Sequence, residues 1–168
     1  FDLYRELRGK EGNLFFSPFS MSTALGMLYG GAEGETEKQM ANVLHYDLPE
    51  PDLHRVFNYV DLELESRGEG KASADGGKFQ LNVVNAAWTQ DGYDFLDAYL
   101  DLLAVHYGAG LYGLDFAADH EKAREIINGW VADQTNDRIK DLFPEGTILP
   151  NTVLALTNAV YFNAAWET

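Results

Sequence analysis

Four hydroxyls, Ser17, Ser20, Ser22 and Thr23, crowd the point where the run NLFFSPFSMSTALGMLYGG, Asn13 to Gly31, changes its apolar period. A serine becomes a nucleophile only beside a base and facing an oxyanion hole, and no G-x-S-x-G elbow or P-loop frames any serine of this chain. The histidines, His45, His54, His106 and His120, are scattered, and His120-Glu121 lacks the second histidine four places on that a zinc helix needs. Surface or half-buried structural roles fit them better than a metal site. Gly108-Ala109-Gly110-Leu111-Tyr112-Gly113 spells a dinucleotide fingerprint. That chemistry requires a strand before the glycines and a helix after, whereas here a helix precedes and a strand follows, so the glycines read as a helix stop and a turn. With 27 Asp and Glu, paired carboxylates are common by composition, and a glycosidase reading is weak. No catalytic residue, cofactor site or metal ligand is therefore assigned, and an enzyme ranks last among the functions weighed.

Composition narrows the rest. The chain has 168 residues, 46% of them hydrophobic, enough to bury a core within one domain. Its net charge of -15 repels phosphate backbones and anionic bilayers, which excludes nucleic acid and membrane surfaces as favoured partners. Cysteine is absent, so neither disulfides nor thiol chemistry enter, and the redox compartment stays unread. No N-x-Ser/Thr sequon occurs. No stretch approaches the roughly 18 apolar residues of a membrane span.

The elements that must position any site follow from periodicity. Phe1, Leu3, Tyr4 and Leu7 have helical spacing, and the chain opens as if inside a helix, with room for a signal peptide lost upstream. Leu14 to Phe16 reads as a short buried strand. Ser17-Pro18 starts a helix, the serine as acceptor and the proline at the first turn, and Gly30-Gly31 stops it. Thr36 and Gln39 form a capping box for a helix that buries Met40, Val43 and Leu44. Leu53, Val56, Phe57, Val60 and Leu64 stripe a third helix whose exposed side carries Asp61, Glu63 and Glu65. Arg67 to Gly77 reads as a mobile loop within one domain. Phe79 to Trp88 is a long strand, Phe95 to Tyr107 a helix, Leu111 to Phe116 a short strand, and Asp119 caps a helix with Ile126, Ile127, Trp130 and Val131 inward. After a return segment broken by Pro144, Gly146 and Pro150, Thr152 to Trp166 is apolar on both alternating faces, Val153, Ala155, Ala159 and Tyr161 on one, Leu154, Leu156, Val160 and Phe162 on the other. Such a strand must be covered on both faces by the amphipathic helices. The expected class is α+β, a large mixed β-sheet covered by helices and incomplete in this chain. One edge of the last strand lacks a partner, so residues 1–168 read as the front portion of a larger domain.

Two polar residues fit these elements poorly. Ser20 lies three residues past the cap Ser17, on the side that points near the core, where a hydroxyl needs a partner. Asn158 sits among Leu156, Ala159 and Val160, and an unsatisfied buried amide costs about 1–3 kcal/mol. Pairing the two, a helix start under the sheet with an amide on the strand above, satisfies both. On the residues alone, an isolated pair of structural polar groups is as good a reading as a functional one.

NLFFSPFS followed by ALGMLYGGAEGET, then Ile127-Asn128-Gly129-Trp130-Val131 with Thr135, then TVLALTNAVYF ending in Ala165-Trp166-Glu167, resembles the N-terminal half of a serpin. The resemblance runs over nearly the whole chain in family order. It implies a serine protease inhibitor, acting at times on cysteine proteases, in which a reactive loop is cleaved and inserts as a new strand in the main sheet. By the same resemblance, Ser17, Pro18, Ser20 and Asn158 occupy the shutter under that sheet. Trp166 stands at the breach where the loop enters, and Ile127, Asn128, Val131 and Thr135 lie on the helix that crosses the sheet and yields during insertion.

The expected partners are a target protease and the C-terminal remainder of the same domain, which carries the reactive loop. Arg55 and Arg67 form no basic stripe on the third helix, so no heparin-type activator is expected. Asn163 replaces the lysine usual after the phenylalanine. The family also holds non-inhibitory carriers and chaperones, which makes a binding or chaperone protein the alternative function. The resemblance favours an extracellular location and leaves an intracellular one open.

Overall fold

The computed structural model describes residues 2–14, 16–68 and 79–164. Phe15, most of the loop expected at Arg67 to Gly77, and Trp166 lie outside the described residues. In chain order the elements are α1 (Asp2–Leu7), α2 (Pro18–Tyr29), α3 (Gly34–Leu44), α4 (Glu50–Gly68), β1 (Gln80–Gln90), α5 (Asp97–Tyr107), β2 (Gly110–Leu114), α6 (Phe116–Gln134) and β3 (Leu154–Asn163). The class is the expected one, helices on a mixed sheet, and the sheet has three strands in the order β2-β1-β3. β1 pairs parallel with β2 through Ala86 to Gln90 and antiparallel with β3 along almost its whole length, Gln80 opposite Asn163 and Thr89 opposite Leu154. That register places Asn85 directly opposite Asn158.

Side-chain alternation divides the strands between two cores. On one face Ala86, Trp88 and Ala155 pack with Phe116, Ala123 and Ile127 of α6 and with Ile148 of the return segment. On the other, Ala87 packs with Met27 of α2 and with Leu103 and Tyr107 of α5, and Leu154 and Leu156 close that cluster. β3 thus has apolar groups on both faces, as its sequence requires. α2 lies against β3, and α4 lies against β1 and α5.

Local signals set most boundaries. Ser17 caps α2 from an extended backbone, φ -101° and ψ 109°, with Pro18 at the first turn. Gly108, at φ 54°, ends α5 in the left-handed region that glycine enters without penalty, so the Gly108 to Gly113 motif is a helix stop leading into a strand. A kink at Asp119 divides α6, and the Asp119 carboxylate accepts from the Lys122 N–H at 2.9 Å. It caps the longer part of the helix as its position suggests, while Asp115 caps the short part before it.

Several expectations are corrected. Leu14 to Phe16 contributes no strand among the described residues, because a strand needs a neighbour for its ladder and none of these lies beside it; Leu14 is exposed. α3 starts at Gly34, whose φ of 65° turns the chain into the helix before Thr36, so the capping box does not form. Gln39 bonds Glu35 instead, and Val43 is exposed. α4 continues through Arg67 and Gly68. Asp61 is half-buried rather than on an open face. Ile126 is exposed because α6 buries a seam spaced by four, Ala123, Ile127, Val131 and Thr135, with Trp130 on its flank. β3 begins at Leu154.

Candidate functional site

The hydroxyl cluster resolves into separate local duties. Ser17 Oγ accepts from the Ser20 N–H at 3.2 Å, which satisfies one of the orphan donors at the start of α2. Thr23 Oγ1 donates back to the Phe19 carbonyl at 3.0 Å, and the Ser22 carbonyl accepts from the Tyr46 hydroxyl at 3.1 Å. Pro18 is exposed, and Ser17 and Ser20 are half-buried.

Asn158 is not held by Ser20. Its Nδ2 donates to Asn85 Oδ1 at 2.7 Å, and Asn85 Nδ2 donates in turn to the Tyr107 carbonyl at 2.8 Å. The expected pairing of Ser20 with Asn158 is thereby replaced, because the antiparallel register already puts an amide opposite Asn158 on the same face. Asn158 Oδ1 is buried without a hydrogen-bond partner among the described residues.

The chain of bonds continues to His54, which the sequence assigned only a surface or half-buried structural role. The Tyr107 hydroxyl lies 2.7 Å from Nδ1 of His54, a histidine only 1% exposed. His54 Nε2 faces the Glu50 carboxylate at 3.5 Å. A proton on Nε2 leaves Nδ1 to accept from the phenol. Burial depresses the His54 pKa below its ordinary value; Glu50 opposes that shift and His106, stacked at a ring distance of 6.2 Å, adds to it. Burial also pushes the Tyr107 phenol far up and the Tyr99 phenol up to about 12, so both hydroxyls stay protonated at any physiological pH. Asn158, Asn85, Tyr107 and His54 thus form one polar line from β3 through β1 and α5 to α4. The sequence signal for it was a lone histidine at the centre of the α4 stripe, between Leu53 and Phe57.

Helix α6 is held differently. Ile127 and Val131 are fully buried against the sheet side. Asn128 reaches sideways, its Nδ2 donating to the Phe143 carbonyl at 2.9 Å and to Asp141 at 3.0 Å while its Oδ1 accepts from the Phe143 N–H at 2.9 Å. Thr135 Oγ1 donates to the Val131 carbonyl at 2.7 Å and accepts from the Ile139 N–H at 3.1 Å. Arg124 adds a bond to the Phe143 carbonyl at 3.1 Å and pairs with Glu121, whose carboxyl that guanidinium holds below its usual range. Asn128 and Thr135 therefore tie α6 to the return segment. Under the helix, the Trp88 indole donates to Thr157 Oγ1 at 3.1 Å and stacks on Tyr112 at 4.6 Å.

The structure does not bring these residues together as one constellation. Ser17, Pro18, Ser20 and Asn158 belong to the α2 side of the sheet, whereas Ile127, Asn128, Val131 and Thr135 belong to the opposite side. β3, through its alternating faces, is the element between them.

Comparison with known proteins gives consistent likenesses. The family model described as Serpin (serine protease inhibitor) matches residues 1–168. An uncharacterized serpin-like protein of Thermococcus kodakarensis is 44% identical over 170 residues, covering 100% of this chain and 37% of that protein. The leukocyte elastase inhibitor of Xenopus laevis is 36% identical over 168 residues, covering 99% of this chain and 42% of its own length. The solved structure of ovalbumin from emu, Dromaius novaehollandiae, superposes with a TM-score of 0.88 at 27% identity, covering 99% of this chain and 45% of that one. The chain spans less than half the length of these relatives.

Proposed function

The chain belongs to the serpin family, and from that premise we propose that it is the front portion of a protease inhibitor acting as a single-use trap. The rest of the same domain supplies an exposed reactive loop. The catalytic serine or cysteine of a target protease attacks the scissile carbonyl of that loop, the peptide C–N bond breaks, and the new N-terminus leaves with a proton. The protease then remains joined through an acyl bond. Insertion of the cleaved loop as a strand carries the acyl-enzyme away before water can release it.

The observation that carries this reading is β3, whose side chains feed two cores, Ala155 on one face and Leu154 and Leu156 on the other. The strand is paired on one side with β1, and among the described residues no strand lies along the other. A strand with apolar side chains on both faces belongs inside a covered sheet, which suits a place beside which the cleaved loop adds as a further strand. Asn158 and Asn85 supply a directional bond that keeps β3 in register with β1, and Asn158 Oδ1, without a partner among the described residues, is left to bond groups that approach β3 from its other side; this is the role proposed for the shutter, with Ser17, Pro18 and Ser20 starting the helix under it. Ile127, Asn128, Val131 and Thr135 anchor the helix that must yield, and the breach role of Trp166 stands on resemblance alone. The residues assigned here hold and release the sheet, and none performs chemistry on the target.

The test is incubation of the intact protein with trypsin-, chymotrypsin-, elastase- and subtilisin-like proteases, scored for a covalent complex that survives boiling in SDS. A complex with any of them establishes the trap and its target class. Loop cleavage by all of them without a complex transfers the function to the non-inhibitory alternative, a binding or chaperone protein.

A further inference from the structure

β1 extends past the end of β2. Pairing with β2 begins at Ala86, so on that side the backbone from Gln80 to Asn85 has no strand neighbour among the described residues, although its other side is fully paired with β3. This leaves about 20 Å of edge, along which alternate residues turn their N–H and C=O groups outward. The edge forms the floor of a groove of about 610 Å³ whose walls come from four other elements, α4, α5, β2 and α6.

The two walls differ in chemistry. On the α6 side stand the aromatic rings of Tyr112 and Trp130. On the α4 side stand Asp61 and Glu65, one helical turn apart, with Leu62 between them in sequence and Val105 of α5 alongside. Leu62 is 56% exposed, Val105 63% and Tyr112 39%, an unusual amount of apolar surface gathered around one open strand edge. Among the described residues that line the groove, none is basic. The Asp61 carboxyl is pushed up by burial and by the neighbouring Glu65, so the wall is short of positive charge.

We propose that the free edge of β1 from Gln80 to Asn85 is a docking groove for an extended, basic segment of a partner protein, which adds to the sheet as a strand. An added strand alternates its side chains between the two walls. Its cationic residues meet Asp61 and Glu65, and its apolar residues meet Tyr112 and Trp130. The spacings agree: residues four apart on a helix are separated by about 6 Å along the axis, and alternate residues of a strand by about 6.6 Å. A second copy of this chain fits poorly, since it would bring a net charge of -15 against another of the same sign. This docking is independent of the trap, which uses the opposite edge of the sheet.

The probe is a fluorescein-labelled octapeptide, Lys-Val-Lys-Val-Lys-Val-Lys-Thr, titrated with the intact protein at physiological salt and read by fluorescence anisotropy. Two comparison peptides have the same composition in block order, and Glu in place of Lys. The expected result is binding of the alternating Lys peptide at least tenfold tighter than either, with slowed hydrogen exchange at residues 81–85. The paired variant Asp61→Lys/Glu65→Lys loses that binding at least tenfold, while the charge-matched pair Glu33→Lys/Asp47→Lys, at exposed positions that do not line the groove, loses less than twofold. Circular dichroism confirms that each variant is folded. Equal binding of the block peptide, equal loss in both paired variants, or no binding at all would overturn the proposal. So would peptide-independent dimerisation that protects residues 81–85, which would give the edge to a second copy.

Discussion

The two faces of the sheet are built on opposite principles. Against α6, Trp88 is 2% exposed, stacks on Tyr112, meets the ring of Trp130 edge-on, and packs with Phe116 and Ile127. That contact is mostly apolar area, which strengthens with burial and has no preferred direction. Against α2, α4 and α5, the apolar cluster around Met27 and Leu103 is continued by the polar line Asn158, Asn85, Tyr107 and His54. A polar line is directional: it fixes one arrangement while intact and gives little resistance once its partners are exchanged for others. The difference teaches that buried area gives strength without direction, whereas a hydrogen-bonded line gives register. One face clamps β1 to β3 by area, and the other registers them by hydrogen bonds.

The comparison is sharpened first on the apolar side. Trp88→Ala removes the largest fully buried side chain among the described residues and the donor to Thr157, and is expected to lower stability by about 3–5 kcal/mol. Urea unfolding of the intact protein measures it; a loss under 1 kcal/mol would erase the contrast between the faces.

On the polar side, Asn85→Ala strips partners from both Asn158 and the Tyr107 carbonyl, whereas Asn158→Ala removes a single bond. The expected losses are about 2–3 kcal/mol and about 1 kcal/mol respectively. If, under the proposed trap, the sheet can also take up an uncleaved loop from the same or a neighbouring molecule to give latent or polymeric forms, both variants should accelerate that conversion on native gels more than Trp88→Ala does at matched stability. Unchanged conversion in both would show that the polar line does not restrain the sheet.

The smallest expected effect is a pH dependence. Burial holds the folded His54 pKa below its ordinary value of 6.5, with His106 adding to the shift and Glu50 opposing it. As pH falls below about 6.5 the unfolded chain takes up a proton that the folded chain refuses, so stability declines, and the decline ends below the folded pKa. The slope cannot exceed about 1.4 kcal/mol per pH unit for one proton. Asp61, whose carboxyl is raised, works in the opposite sense at lower pH, and Tyr29 and Tyr107 remain neutral throughout. Subtracting the stability curve of His54→Gln from that of the parent isolates the contribution of His54. Parallel curves between pH 7.5 and 5.5 would show that His54 does not couple to folding.

Much of the architecture was written locally. Ser17-Pro18 announces α2, Asp119 announces the main part of α6, and the uninterrupted two-faced pattern from Thr152 onward announces a covered strand, which begins two residues later at Leu154. Each such signal acts within a helical turn or a strand pair, through caps and periodicity, and survives whatever the rest of the chain does. The same locality explains the misreadings. Thr36 and Gln39 have the letters of a capping box, but a positive φ at Gly34 started the helix first. Ile126 is apolar, yet the seam of α6 is one residue to its side. Leu14 to Phe16 has strand composition without a strand beside it among the described residues.

What the sequence determined alone is the order of the six helices and of the three sheet strands among the described residues, the family pattern, and the two polar residues, Ser20 and Asn158, that sit badly in apolar surroundings. Tertiary structure alone decided their partners. Asn158 meets Asn85 across 73 residues of sequence, and His54 meets Tyr107 across 53. Those meetings depend on the register of β1 with β3 and on the packing of α4 against α5. Register and packing are set by the sum of many side-chain burials across the sheet, which no single stretch of residues contains.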